Sequence, residues 1–362
     1  MIHFECDYAC GAHPAVMKAL METNQEQHCG YSEDECCDTA RQMIRELCKC
    51  PEAAVHFVVG GTQANLLVIK AGLRSFEGVL CADTGHINVH ETGAVEATGH
   101  KVLPLPPTDG KISADQVRQA VMLHREDASF EHIVRPAMVY ISHPTEIGTL
   151  YTREELTALS ETCHELGLTL FVDGARLGYG LAADENVDLP FLAKVCDAFY
   201  IGGTKCGLLF GEAIVITNPA IAQDFRYHIK QRGAMLAKGR LFGVQFEAML
   251  KDNLYVEASR KANQQAQQIK QAFVEKGYPL FCDTKANQIF LVLPNEAIAA
   301  LQQKYVITYW CKVDEDHAAV RLVTSVCTRD EDVEALLSDI AALSSSKNTP
   351  AAAFLTSFAP FA

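Results

Sequence analysis

The chain is predicted to be an α/β protein with a mostly parallel sheet flanked by helices and a smaller C-terminal α+β domain. Three observations predict it. From residue 54 onward, short apolar runs alternate with longer segments of helical period, the order in which parallel strands are joined by crossover helices. Helix-start chemistry recurs at the places this alternation requires. After a long polar helical stretch, the remaining strand signals no longer alternate with helices of similar length, as suits a separate, smaller unit.

Taken in order, AVHFVV (54–59) is a strand followed by helical TQANLLVIKAGLRSF, and GVLCA (78–82) is a strand followed by a His-rich helical stretch. HKVLPL leads to ISADQVRQAVMLH, where Ser113 begins an amphipathic run. AMVYIS leads to TREELTALSETCHEL, where Thr152 and Glu155 have the spacing of a capping box. TLFVDGA and DAFYIGG are the next two strands. Residues 246–275 read as one long polar helix, followed by strands NQIFLVL (287–293) and AVRLVTSV (319–326) and a helix at 330–343. The expected organisation is an N-terminal arm over 1–12, a large domain over 13–245, a small C-terminal domain over 246–345 and a loosely docked tail over 346–362.

Composition narrows the function. The chain has 362 residues, 49% hydrophobic and 21% charged, as in an ordinary globular protein. A net charge of −14 argues against a nucleic-acid or anionic-membrane surface, so a bound anion must be held locally. No signal peptide and no run of ~20 apolar residues is read, and a cytoplasmic location is expected. Fourteen cysteines in a chain of this size read as reduced thiols, including Cys36–Cys37 and Cys48-x-Cys50, rather than as a disulfide scaffold or zinc site.

Four constellations follow predicted strands. Gly60-Gly61-Thr62-Gln63 joins a strand to a helix, and free N–H groups there suit an anion, although a plain turn reads the same way. Asp173-Gly174-Ala175-Arg176 ends the strand TLFV, where an open α/β sheet has its ligand crevice; the carboxylate could face a protonated ring nitrogen. Gly202-Gly203-Thr204-Lys205 sets a lysine on a glycine-flanked turn, and an amine in a desolvated or cationic site attacks carbonyls. His86 and His90 stand one helical turn apart, as a metal pair or as an imidazole stacked on an aromatic cofactor and moving protons. An anion cradle, a ring-nitrogen carboxylate, a covalent lysine and an imidazole are together the parts that pyridoxal 5'-phosphate requires.

The chain also resembles the threonine aldolase and β-eliminating lyase group of fold-type I pyridoxal-phosphate enzymes over nearly its whole length. The resemblance is carried by Phe4–Asp7, Gly30-Tyr31-Ser32-Glu33-Asp34, Gly61-Thr62-Gln63-Ala64-Asn65, His86 through Ala94, Asp173–Arg176, Lys205 and Arg321–Thr324. It implies a fold-type I, transferase-like architecture. It also implies Lys205 as the covalent lysine, Asp173 on the pyridine nitrogen, His86 stacked on the ring and active in proton transfer, and Gly61, Thr62, Gln63 and Thr204 among the cofactor contacts. Asp7, Tyr31, Arg176 and Arg321 would meet the amino acid, with Arg176 close enough to count among the cofactor contacts too. Arg240 in KGRLFG would reach the phosphate from a neighbouring subunit of a dimer or dimer-based tetramer. No metal is implied. Three segments depart from the pattern: Cys6 where a serine is common, His143-Pro144-Thr145-Glu146, and the TKCGLLFG context of Lys205.

The expected activity is retro-aldol cleavage of a β-hydroxy-α-amino acid, threonine or allo-threonine, to glycine and acetaldehyde. Rival readings are another pyridoxal-phosphate lyase or a transaminase on the same scaffold, and a non-catalytic cofactor or metabolite binder.

Overall fold

The computed structural model describes residues 1–344, so the tail expected over 346–362 lies outside the described residues. A seven-stranded sheet forms the centre, in the order Ala54–Val58, Glu212–Ile216, Ala198–Gly202, Thr169–Asp173, Arg135–Ser142, Glu77–Ala82 and Lys101–Leu105. Glu212–Ile216 runs against both of its neighbours, and the other neighbouring pairs are parallel. That strand is absent from the sequence reading, because GEAIVI is short and lacks an alternating polar face.

Strand alternation sorts the side chains onto the two faces of the sheet. Val139, Ile141, Leu170, Val172, Phe199 and Ile201 enter one core, whereas Met138, Tyr140, Phe171, Ala198 and Tyr200 enter the other. Both faces are buried, so the strands read as continuous apolar runs. The helix Arg153–Leu166 is closed by the Thr152–Glu155 capping box, and Ala114–Glu126 by one between Ser113 and Gln116.

The expected helix over 246–275 is two helices, Arg240–Leu250 and Leu254–Glu275. Asp252 and Asn253 break it at φ 53° and 59°, in the left-handed region that Asn and Asp tolerate better than most residues. The His-rich stretch is only a single turn, His86–Val89. In the C-terminal part, Thr308–Lys312, His317–Val323, Gln288–Pro294 and Leu280–Cys282 form a four-stranded antiparallel sheet. Its core includes Ile269 and Phe273 from Leu254–Glu275 and Leu336 and Ile340 from the helix Asp330–Ala342.

The N-terminal segment is stitched to this C-terminal part, where it forms a separate two-stranded sheet. Ile2–His3 pairs with Tyr305–Val306, Phe4 is buried in the same core, and Val323 N–H donates to Phe4 O at 2.7 Å. The segment then crosses to the large sheet, where His13 N–H donates to Gly207 O at 2.8 Å. All fourteen cysteines are unpaired. Burial pushes the Cys37 and Cys48 thiols up to about 12, which suits inert core thiols.

Candidate active site

The carboxyl ends of the parallel strands converge on a cavity of about 200 Å³. Gly60-Gly61-Thr62 arrives from Ala54–Val58, Ser142 and Pro144-Thr145-Glu146 from Arg135–Ser142, and Asp173, Ala175 and Arg176 from Thr169–Asp173. Thr204 and Lys205 arrive from Ala198–Gly202. His86 and Glu91 complete one wall. Because Glu212 opens the antiparallel strand, opposite Val58 and Gly202, its carboxyl also lies at this edge.

Asp173 is buried at the floor and its two oxygens accept four hydrogen bonds. Oδ1 accepts from Tyr200 at 2.5 Å and Ala175 N–H at 2.9 Å; Oδ2 accepts from Tyr140 at 2.6 Å and Asn65 at 3.0 Å. Burial works to raise its pKa, but the nearby His86 charge and these donors outweigh it and hold the carboxyl below its ordinary value. Gly174 is required here, since a Cβ would stand 1.9 Å from Tyr200 O. At Gly61 a Cβ would approach Tyr200 Oη to 2.9 Å.

Lys205 is half-buried. Desolvation, then the Arg176 charge, lower its pKa against the pull of Asp7, Asp173 and Glu212. Its turn is braced by Glu212, which accepts from Thr204 Oγ1 at 2.7 Å and Gly203 N–H at 2.9 Å. Burial first, with the Asp173 charge adding to it, raises the Glu212 carboxyl to about 8 despite these donors and Lys205. His86 is held twice, by its N–H on Glu146 Oε1 at 2.9 Å and by Nδ1 on Glu91 Oε1 at 2.8 Å. Burial alone would lower the imidazole; the Glu91 bond and the Asp173 and Glu91 charges outweigh it and raise the pKa.

Of the expected residues, Gly61, Thr62, His86, Asp173, Arg176, Thr204 and Lys205 line the cavity. Gln63 instead accepts from Val59 N–H at 3.0 Å through its side-chain oxygen. Arg176 is gripped bidentately by buried Asp7, at 2.6 and 3.0 Å, so its fork is not free but shared with the N-terminal segment. Arg321 lies outside the lining, with Nη2 on Glu5 O at 3.1 Å and its buried Nε unpartnered. Tyr31 is exposed beside Lys230, and Arg240 donates to Thr23 at 3.3 Å; neither reaches this chain's own cavity. His86 and His90 ring centroids are 5.6 Å apart, and among the described residues no group of three or more His, Cys, Asp or Glu is placed to hold a metal.

Sequence reasoning assigned no part to Asn65, Tyr200 and Glu212 in the lining, or to Tyr140, which reaches Asp173 from outside the lining. Tyr140 and Tyr200 read as strand apolars, and Glu212 sits on the unread strand. Asn65 could have been found: it lies four residues after Gly61, on the same helix face.

The donor set fits pyridoxal phosphate. The first N–H groups of the 12-residue helix Gly61–Gly72 have no intrahelical acceptor and stand at the cavity with the Thr62 hydroxyl, suited to a phosphate. A buried carboxylate held in its charged form suits a ring nitrogen, and an amine of lowered basicity suits an aldehyde carbon.

Residues 4–296 match the β-eliminating lyase family. The chain belongs to this family, as a pyridoxal-phosphate-dependent lyase of fold type I. It is 33% identical over 306 residues to a low-specificity L-threonine aldolase of Pseudomonas aeruginosa, covering 83% of this chain and 87% of that one. Among solved structures, a threonine aldolase of Leishmania major is 40% identical, with a TM-score of 0.92 and coverage of 94% and 99% of the two chains. An aspartate aminotransferase of Thermus thermophilus shares the fold alone, at 15% identity, TM-score 0.68 and 94% and 91% coverage. As a member of this family the lyase acts on an amino acid. Among its described residues no helix is long and apolar enough to cross a membrane.

Proposed function

We propose that this lyase cleaves the Cα–Cβ bond of β-hydroxy-α-amino acids such as threonine or allo-threonine, yielding glycine and acetaldehyde. The observation that carries the reading is the convergence of Lys205, Asp173 and the Gly61–Thr62 helix start on one cavity. The names of the relatives point to the same reaction.

Bound pyridoxal phosphate supplies the electron sink for the bond that breaks. Gly61 and Thr62 would hold its phosphate, Asp173 would keep its ring nitrogen protonated, and Lys205 would bind its aldehyde carbon. Arg176 and Arg321 orient the substrate carboxylate, and so the bond to be broken. Asp7 takes Nε and one Nη2 donor of Arg176, so that carboxylate shares the guanidinium with Asp7. With Nδ1 engaged by Glu91, Nε2 of His86 is the ring nitrogen left to exchange a proton. The Glu91 bond and the Asp173 and Glu91 charges raise its pKa against burial, which favours the protonated ring as the proton donor.

Borohydride reduction of the holoenzyme followed by peptide mapping is expected to mark Lys205, and threonine to release acetaldehyde. A label on another lysine refutes the lysine assignment. Pyruvate from serine or cysteine without acetaldehyde from threonine moves the enzyme to β-elimination.

The reading extends to assembly and place. The arm, the large domain over 13–245 and the small domain over 246–345 make one protomer of a homo-oligomer. The cofactor phosphate carries close to two negative charges, while Gly61 and Thr62 supply neutral donors only. Arg240 and Tyr31 act in a neighbouring subunit's site in a dimer or dimer-based tetramer. Fourteen unpaired cysteines support a reducing, cytoplasmic compartment. Arg240→Ala is expected to weaken cofactor retention on dialysis by roughly tenfold or more, the scale of a lost charge-assisted bond. Sedimentation tests the assembly directly: a fully active monomer excludes the shared site.

A further inference from the structure

The reaction as derived makes no use of Cys10 and Cys327, yet the fold brings them together. Cys10 is exposed on the N-terminal segment, three residues after Asp7 and two after Tyr8, whose ring centroid lies 5.9 Å from Lys205 Nζ. Cys327 is half-buried in the loop between the strand His317–Val323 and the helix Asp330–Ala342. Its Sγ lies 3.5 Å from Gly11 O, the carbonyl next to Cys10, and its N–H donates to Ser325 Oγ at 3.2 Å. The Gly11 contact sets the Cys327 sulfur against the residue that follows Cys10 in the chain.

We propose that Cys10 and Cys327 are a modification site: a dithiol that a low-molecular-weight disulfide oxidises reversibly, stapling the N-terminal segment and so hindering amino-acid binding at Arg176. The two sulfurs have unequal roles. The neighbouring Cys327 thiol, aided by Ser325 and opposed by burial, pulls Cys10 down to about 7, whereas Cys10 raises Cys327. Near neutral pH Cys10 is therefore substantially thiolate, the attacking form.

The Cys10 thiolate attacks one sulfur of the small disulfide. A bond to Cys10 forms, the small S–S bond breaks, and one thiolate leaves and takes a proton from water. Cys327 gives its proton to water and attacks Cys10 Sγ, expelling the second thiolate, which is protonated in turn. Two protein thiols lose two electrons and one small disulfide becomes two thiols.

The effect on binding rests on the proposed role of Arg176. Asp7 occupies the Arg176 fork and also accepts from Asn287 at 2.9 Å. A substrate carboxylate shares the guanidinium that Asp7 holds in place, so its grip depends on how the segment around residue 7 can adjust. A covalent tie three residues further along restricts that adjustment.

The test uses the holoenzyme in defined mixtures of oxidised and reduced glutathione, with free thiols alkylated and the peptides mapped. Glycine affinity is read from the visible cofactor band, so that it does not depend on aldol turnover. A Cys10–Cys327 disulfide is expected before any other pairing. Glycine binding should become roughly tenfold weaker, the scale of one charge-assisted contact, and recover with dithiothreitol. Cys10→Ser and Cys327→Ser should keep basal glycine affinity and lose the response. Free Cys10 and Cys327 under oxidation, or a disulfide elsewhere first, overturns the site. The expected disulfide with unchanged glycine affinity overturns the regulation. Absence of acetaldehyde from threonine, by contrast, counts against the aldolase reading alone.

Discussion

Lys205→Ala is expected to lower turnover of threonine by about 10²–10⁴-fold, the range that a positioned proton-transfer group contributes, with loss of the covalent link besides. The protein should still fold. The Lys205 side chain makes no hydrogen bond that secures the sheet, and the backbone around it is fixed independently, by Tyr179 donating to Lys205 O at 2.6 Å and by Glu212 beneath the Gly203–Thr204 peptide. Steady-state kinetics, with thermal melting as the control for folding, measures both halves. Turnover within a few-fold of the parent would remove Lys205 from the reaction.

The second large effect is expected at the cavity floor. Asp173→Asn replaces a carboxylate that accepts four hydrogen bonds with an amide whose NH₂ accepts none. Two donors lose their acceptor, and the negative charge that would face the ring nitrogen is gone. A charge-assisted hydrogen bond of about 1.5–3 kcal/mol corresponds to a loss of roughly ten- to a hundredfold in kcat. Cofactor content should fall far less, because the Gly61 helix start and Lys205 are untouched. Measuring kcat beside the visible absorbance separates the two; normal kcat in a well-folded variant would show the carboxylate to be structural.

Much of this arrangement was legible because its parts are local. A strand followed by Gly-Gly-Thr, Asp-Gly-Ala-Arg or Gly-Gly-Thr-Lys announces both the turn and the edge of the sheet on which it falls. All three turns do meet at one cavity. The Thr152 and Ser113 caps were readable for the same reason, since a capping box is complete within four residues. The long helix was misread because 246–275 keeps its polar helical composition across Asp252 and Asn253, and composition does not record two left-handed residues. Glu212 was invisible because its importance comes from the direction of a strand: only an antiparallel strand presents its first residue at the edge where parallel strands present their last.

By itself the sequence determined the fold class, the chemistry on offer and the turns that carry it, because apolar periodicity, glycine placement and capping act over a few residues. Tertiary structure alone decided who meets whom. Tyr140 and Tyr200 stand on strands either side of the one that ends in Asp173, and their hydroxyls reach it only because the sheet order sets them there. Asp7 takes the fork of Arg176 across 169 residues, and Cys327 comes to rest against Gly11 across 316. Contacts of that span depend on the packing of two sheets and the path of the segment that joins them, and no local pattern in the chain encodes either.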